Sequence, residues 1–197
     1  MKTSNPMPCV NYYENVYDAK SFLDLIIQES KTDWPRLSWE RSTVGGGDNE
    51  SIVSEYRSSM SMSLQPITTQ EELVENLEEI KKSFLEIWEK INQLVWDYRD
   101  SYKLHLNSDE GFAVLRYSEG AEYHFHADAD SVNGRQMSMV AYLNDEYEGG
   151  ELEFPYFDCK IKPTAGSVIF FPSSYAYSHI AHPVTNGIKY SMVTWFK

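Results

Sequence analysis

The sequence predicts a mainly β chain with helices on its N-terminal side. Three observations carry this reading. A long amphipathic stripe runs to Tyr98, the texture changes after Gly111 to short apolar or alternating runs, and each of those runs is bounded by Gly, Pro, Asn or Asp. Turn-bounded runs of this kind are the pattern of a compact antiparallel barrel or sandwich. With 197 residues and an ordinary apolar fraction, one domain with a sizeable core is expected over 1–197. Residues 1–110 would supply mostly helical support and a lid, and 111–197 the β core.

The elements follow in order. From Asp18 to Ser30, Phe22, Leu25, Ile26 and Glu29 fall at helical spacing and predict a first amphipathic helix. The segment Ser38 to Gln65 contains Gly45-Gly46-Gly47 and a Ser/Met-rich run, Ser58 to Ser63. Without a following Lys-Ser/Thr the three glycines lack the residues that hold a phosphate, so the segment reads as a flexible connection or lid. Thr69-Gln70-Glu71-Glu72 has the form of a capping box, with Pro66 upstream, and predicts a helix start. Leu73, Leu77, Ile80, Phe84, Ile87, Ile91, Leu94 and Tyr98 then alternate in steps of four and three. The apolar Val74, Trp88 and Val95 widen that stripe, which favours packing against a sheet over a coiled-coil seam. The predicted strands are Phe112 to Tyr117, Gln136 to Leu143, Leu152 to Phe154, Ser167 to Phe171 and Lys189 to Phe196.

Charge narrows the partners. A net charge of −13 repels a phosphate backbone, and Lys81-Lys82 lies inside an acidic segment, so no nucleic-acid partner is expected. No apolar run has the length of a signal peptide or of a membrane span, which predicts a cytoplasmic protein without a membrane partner. Monomer and homodimer both remain open. Cys9 and Cys159 stand far apart and form no CxxC pair, so they read as small free thiols rather than ligands of a closed zinc site.

The chemistry concentrates in the histidines. Side chains at i and i+2 of a strand share a face, about 7 Å apart at the backbone. His124 with His126, or His126 with Asp128, could therefore converge on one ion, and His126 belongs to both pairs. Two imidazoles and one carboxylate leave three positions of an octahedral metal open, the arrangement of non-haem Fe(II) oxygenases, which selects His126 and Asp128. His124 would then lie one pleat outward. Downstream, His179 and His182 are three apart and point to opposite faces of a strand, so only one can enter the site; their spacing alone leaves the choice open.

The order of motifs resembles the Fe(II)- and 2-oxoglutarate-dependent dioxygenases of the prolyl 4-hydroxylase type over roughly the second half of the chain. The run Tyr117 to Asp128 is similar to the family's Tyr…Gly…Tyr-x-x-His-x-Asp segment. RQMSMVAYLN, from Arg135 to Asn144, resembles the strand ending in Tyr-Leu-Asn, and Gly149 to Phe154 resembles the Gly-Gly-Glu-x-x-Phe turn. PTAGSVIFFP, from Pro163 to Pro172, and the run from His179 to Val184 continuing to Lys189 and Trp195 complete the pattern. HxD alone is a weak signal; five motifs in order are a strong one. The earlier Arg57-Ser58-Ser59 is similar to an Arg-x-Ser segment at the edge of this family's active site.

The resemblance implies a double-stranded β-helix, a jelly-roll or cupin-like core, buttressed by N-terminal helices. It implies Fe(II) on His126, Asp128 and His179, because the distal ligand precedes Pro-Val by four residues and the anion-binding Lys or Arg follows it by nine or ten. His179 and Lys189 satisfy both intervals; His182 satisfies neither. It further implies 2-oxoglutarate and O2 as co-substrates, ascorbate as a candidate auxiliary, and Lys189 as the partner of the distal carboxylate, with Tyr117, Tyr123 and Tyr142 as further co-substrate contacts. Arg57 is divided between substrate contact and an ordinary salt bridge, and Trp195 is expected in the core. The leading expectation is a hydroxylase of a protein or peptide, at proline. Hydroxylation of a free amino acid or other small molecule is the alternative, and a non-catalytic cupin-like module, which has no need of Lys189, is the reading from another class.

Overall fold

In the computed structural model, which describes residues 1–33, 35–45, 51–52, 55–68 and 75–197, the chain opens with a hairpin, β1 (Lys2–Met7) and β2 (Val10–Glu14), followed by α1 (Lys20–Glu29). Short strands come next: β3 (Glu40–Arg41), β4 (Val44–Gly45), β5 (Ser51–Ile52) and β6 (Met60–Ser63). The single-turn α2 (Gln65–Thr68) and the long α3 (Glu75–Tyr102) precede the β-rich part. That part holds β7 (Ala113–Tyr117), β8 (Tyr123–His126), β9 (Met137–Tyr142), β10 (Tyr147–Gly149), β11 (Leu152–Phe154), β12 (Cys159–Ile161), β13 (Val168–Pro172), β14 (His179–Ala181), β15 (Val184–Gly187) and β16 (Lys189–Phe196).

Two antiparallel sheets face each other. The larger has eight strands in the order β1-β2-β13-β9-β16-β7-β6-β3, and the smaller four, in the order β12-β11-β14-β8. This is the double-stranded β-helix. Alternation along β16 shows why the sequence builds it: Lys189, Ser191, Val193 and Trp195 line the cleft between the sheets, while Tyr190, Met192 and Phe196 join the core on the helical side. β13 is apolar throughout, Val-Ile-Phe-Phe, because helices cover one of its faces and the small sheet the other.

The helices cover the outer face of the large sheet. On α3, Leu77, Ile80, Phe84, Ile87, Ile91, Leu94 and Tyr98 are all buried in the core that also holds Phe22 and Ile26 of α1, Val114, Met137, Phe170 and Met192. The stripe therefore packs within the chain. Phe84 and Trp88 meet Phe112 edge-on, at 5.1 and 4.8 Å between ring centroids, and Tyr98 meets Phe170 at 5.6 Å. The capping box at Thr69 to Glu72, together with Leu73, Val74 and the glycines Gly46 and Gly47, lies outside the described residues.

Two expectations need correction. The Ser/Met-rich run is in part a strand and not a lid: β6 pairs with β7 from Met60↔Arg116 to Ser63↔Ala113, and Met62 is buried. Its period of two was hidden because serine and methionine suggest low complexity. The N-terminal part is also less helical than expected, since β1 and β2 extend the large sheet through β2↔β13 pairing. β1 has no apolar periodicity to reveal it, being exposed from Lys2 to Pro6, and an edge position is where a strand tolerates proline. Among the described residues no helix is long and apolar enough to cross a membrane, and Cys9 and Cys159 are both free thiols.

Candidate metal centre

β8 and β14 pair so that His126 stands directly opposite His179. The next pair is Tyr123↔Ala181, so two residues of β8, His124 and Phe125, oppose Ile180 alone. This is a β-bulge, and it returns Tyr123 and His126 to one face, where their rings stack with centroids 3.5 Å apart. The expected simple alternation therefore fails at His124. Its ring packs on Tyr56 at 4.9 Å and its Nε2 lies 3.2 Å from Glu122. Asp128 likewise sits just past the end of β8 in a bend, so it reaches the site from a loop and not from the next pleat.

His126, Asp128 and His179 each offer one ligand atom, and these atoms lie within 4.8 Å of one another. Nε2 of His126 is 3.6 Å from Asp128 Oδ1, and Nε2 of His179 is 3.9 Å from Oδ2. The other ring nitrogens identify the tautomers. His126 Nδ1 is 2.7 Å from the His124 carbonyl oxygen and His179 Nδ1 is 3.1 Å from that of Tyr177. A carbonyl only accepts, so each Nδ1 carries the hydrogen and each Nε2 presents a lone pair toward the carboxylate. Two imidazole lone pairs and one carboxylate, with no fourth protein ligand in the cluster among the described residues, fit an Fe(II) site with open positions better than a closed zinc site.

Electrostatics support this arrangement. Burial alone would raise the Asp128 carboxyl, but the adjacent His179 and His126 and the Ser138 hydroxyl outweigh it and hold the group well below the usual carboxylate range. Burial, and secondarily His126, push His179 down to about 4 against the opposing pull of Asp128. At neutral pH His179 is thus a neutral imidazole beside an ionised Asp128 carboxylate.

Lys189 is the second anchor of the cleft, which is lined by His126, Asp128, His179 and Lys189 together. Its ammonium donates to the Gly150 carbonyl at 2.7 Å and stands 5.1 and 5.5 Å from the ring centroids of Tyr117 and Tyr142. Gly150 must be small and left-handed there: at φ +65°, a Cβ would lie 3.0 Å from Tyr147 Cε2 and 3.1 Å from Lys189 Cδ. Burial and then Lys162 lower Lys189 to about 7, with Glu151 opposing. Apolar walls of Leu115, Val140, Leu152, Ala181 and Val193 complete the cleft.

The structure places Tyr117, Tyr123, Tyr142, Arg57 and Trp195 around the same cleft. Arg57 lies 4.8 Å from the Tyr123 ring centroid and donates to Ser59 Oγ and the Thr43 carbonyl; among the described residues it has no carboxylate partner. Trp195, expected in the core, lines the cleft and carries the Arg135 guanidinium 3.9 Å from its ring centroid. His182 is excluded, its Nε2 bonded to Glu153 on the far face of the small sheet. Sequence reasoning missed Asn133, Arg135, Ser138 and Ser173, which hold Asp128 or its loop. The Asn-Gly-Arg turn before β9 was the available signal for the first two; nothing in the spacing of the serines marked them.

Comparison with known proteins agrees with this geometry. Residues 112–197 match the 2OG-Fe(II) oxygenase superfamily. A putative prolyl 4-hydroxylase of Acanthamoeba polyphaga mimivirus is 28% identical over 116 residues, covering 49% of this chain and 48% of that protein. The chain thus spans about half the length of that relative. Among solved structures, the viral collagen prolyl hydroxylase of Paramecium Bursaria Chlorella virus-1, in its 2OG complex, superposes with a TM-score of 0.61 at 21% identity, covering 95% of this chain and 94% of that one. A Trichoplax adhaerens prolyl hydroxylase in complex with a hypoxia inducible factor peptide fragment reaches 0.70 at 16% identity, covering 95% and 82%. Through residues 112–197 the chain is thus similar to the 2OG-Fe(II) oxygenase superfamily, and the relative and solved structures named here are prolyl hydroxylases.

Proposed function

We propose that this chain is an Fe(II)- and 2-oxoglutarate-dependent dioxygenase that hydroxylates a protein or peptide substrate at proline. His126 and His179 would hold the metal through Nε2 and Asp128 through its carboxylate, and Lys189 would receive the distal carboxylate of 2-oxoglutarate. Bound iron and 2-oxoglutarate supply the oxidising equivalents that place one oxygen atom of O2 on a substrate C–H bond, with succinate and carbon dioxide released. The chain's own part is to position and to exclude. Lys189 spends one of its ammonium hydrogens on Gly150, which leaves two donors for a carboxylate in a wall otherwise apolar. Tyr117, Tyr123 and Tyr142 border that space as further co-substrate contacts, and Arg57 with Trp195 marks the side open to the primary substrate. Ascorbate would serve as an auxiliary in turnover.

One observation carries the reading: two imidazole lone pairs and a buried carboxylate converge in the same cleft as a buried ammonium that, among the described residues, has no carboxylate partner. A non-catalytic module has no use for that last group. The peptide-bound neighbour supports a peptide substrate, and the prolyl-hydroxylase names of the relatives support proline as its target. The test is succinate production and gain of one oxygen across a panel of proline-containing peptides, free amino acids and nucleosides, with and without ascorbate. Peptide-stimulated turnover with oxygen on proline is expected. Oxygen on a free amino acid with no peptide activity would overturn the substrate, and absence of succinate with every candidate would overturn the reaction.

A further inference from the structure

The two carboxylate oxygens of Asp128 are treated differently. Oδ2 accepts the Ser138 hydroxyl at 2.6 Å and lies 3.9 Å from His179 Nε2, whereas Oδ1 accepts neither serine and lies 3.6 Å from His126 Nε2. Ser138 Oγ lies 2.8 Å from Ser173 Oγ, and both serines are buried. The proton order follows from chemistry. An ionised carboxylate can only accept, so the Ser138 hydrogen is committed to Asp128 and the Ser173 hydrogen must point at Ser138. Each bond in such a chain polarises the next, and a charge-assisted O–H···O⁻ contact of this length is at the strong end of the range.

The same two strands also restrain the loop. Ser173 accepts the Ala129 amide at 2.8 Å and donates its own amide to the Gln136 carbonyl at 3.1 Å. On the backbone side, the Asp128 carbonyl accepts Asn133 Nδ2 at 2.9 Å and Arg135 Nη1 at 3.0 Å. The carboxylate is therefore held at both ends. Ser138 can reach it because, on β9, it shares a face with Val140 and Tyr142, which line the cleft.

We infer that Ser173 and Ser138 form a hydroxyl relay that keeps Asp128 a one-oxygen ligand and so leaves open a coordination position that the second carboxylate oxygen would close. Ser138 is a positioning residue. The inference rests on the metal-centre reading given above, and it goes further by assigning the openness of the site to two residues that touch no metal.

The experiment uses Mn(II), without co-substrate, on wild type, Ser138→Ala, Ser138→Thr and Ser173→Ala, reading metal affinity together with the number of metal-bound waters from water-proton relaxation. Ser138→Ala is expected to hold one bound water fewer than wild type, with Ser138→Thr restoring the wild-type number through its hydroxyl. Ser173→Ala is expected to fall between them as a population average, and it decides the matter if Ser138→Ala does not fold. Equal water numbers in wild type and these variants would overturn the relay while leaving the metal centre standing. A folded Ser138→Ala that binds no metal would also overturn it, since Ser138 would then secure binding and not denticity. If wild type itself binds no Mn(II), both the relay and the metal-centre reading fall.

Discussion

Lys189 is 3% exposed, makes its ammonium hydrogen bond to a single carbonyl, and has no carboxylate within ion-pair reach among the described residues. Such a charge costs stability. Its depressed value, about 7 against an ordinary 10.5, means that the unfolded chain binds more protons than the folded one between those two values. Stability from this group therefore rises with pH across that window, and the penalty is largest below pH 7. Lys189→Met is expected to stabilise the metal-free protein by about 1 to 4 kcal/mol at pH 6 and by progressively less toward pH 10, read from urea midpoints. The same variant should lose about 2 to 5 kcal/mol of 2-oxoglutarate affinity while Mn(II) affinity stays unchanged. A variant neither more stable nor weaker for 2-oxoglutarate would remove Lys189 from that role. The two downstream histidines offer a second comparison: His179→Ala should lose metal and His182→Ala should keep it, since His182 is committed to Glu153. Metal stoichiometry of the purified variants decides it.

At the scale of elements, α3 shows how one helix serves two solvents. Ile91 is fully buried on the stripe, whereas Trp96 is 48% exposed with Arg99 over its ring. Ile91→Ala is expected to destabilise by about 2 to 5 kcal/mol in chemical denaturation, and Trp96→Ala by roughly 0.5 kcal/mol or less. Comparable losses from both would mean that the outer face of α3 is also covered. Periodicity made this helix and the strands β7, β9, β11, β13 and β16 legible, because each buries a face with its own period. β1, β3 and β6 were not legible, since an exposed or short edge strand is held by backbone pairing that leaves little mark on side-chain pattern. The bulge in β8 was equally invisible: nothing in Tyr-His-Phe-His announces an extra residue, yet it decides that Tyr123 and not His124 shares a face with His126.

For the whole molecule, a net charge of −13 surrounds a cleft whose own charged groups are mixed, with Asp128 balanced by Lys189 and Arg57. Long-range attraction should then favour basic peptides in the encounter step, and salt should weaken that preference. The expected outcome is that KM for a lysine-flanked proline peptide rises between low and physiological ionic strength more than KM for its neutral counterpart, with kcat unchanged. Parallel behaviour of the two peptides would show that the surface charge plays no part in selection.

The sequence by itself determined which chemistry was available: two helical periods, a series of short strands, one HxD segment, two candidate distal histidines and a lysine at a fixed interval. Periodicity and residue type are one-dimensional properties, and for these they suffice. Only the tertiary structure decided what meets what. The pairing His126↔His179 brings one downstream histidine inward and leaves the other on Glu153, and a choice that spacing left open, and that resemblance alone had favoured, becomes a matter of register. Ser138 and Ser173 come together because β9 and β13 are neighbours, an adjacency that no local pattern encodes. Convergence on a carboxylate requires strands distant in the chain to be aligned to a single residue, and that alignment is set by the packing of two whole sheets.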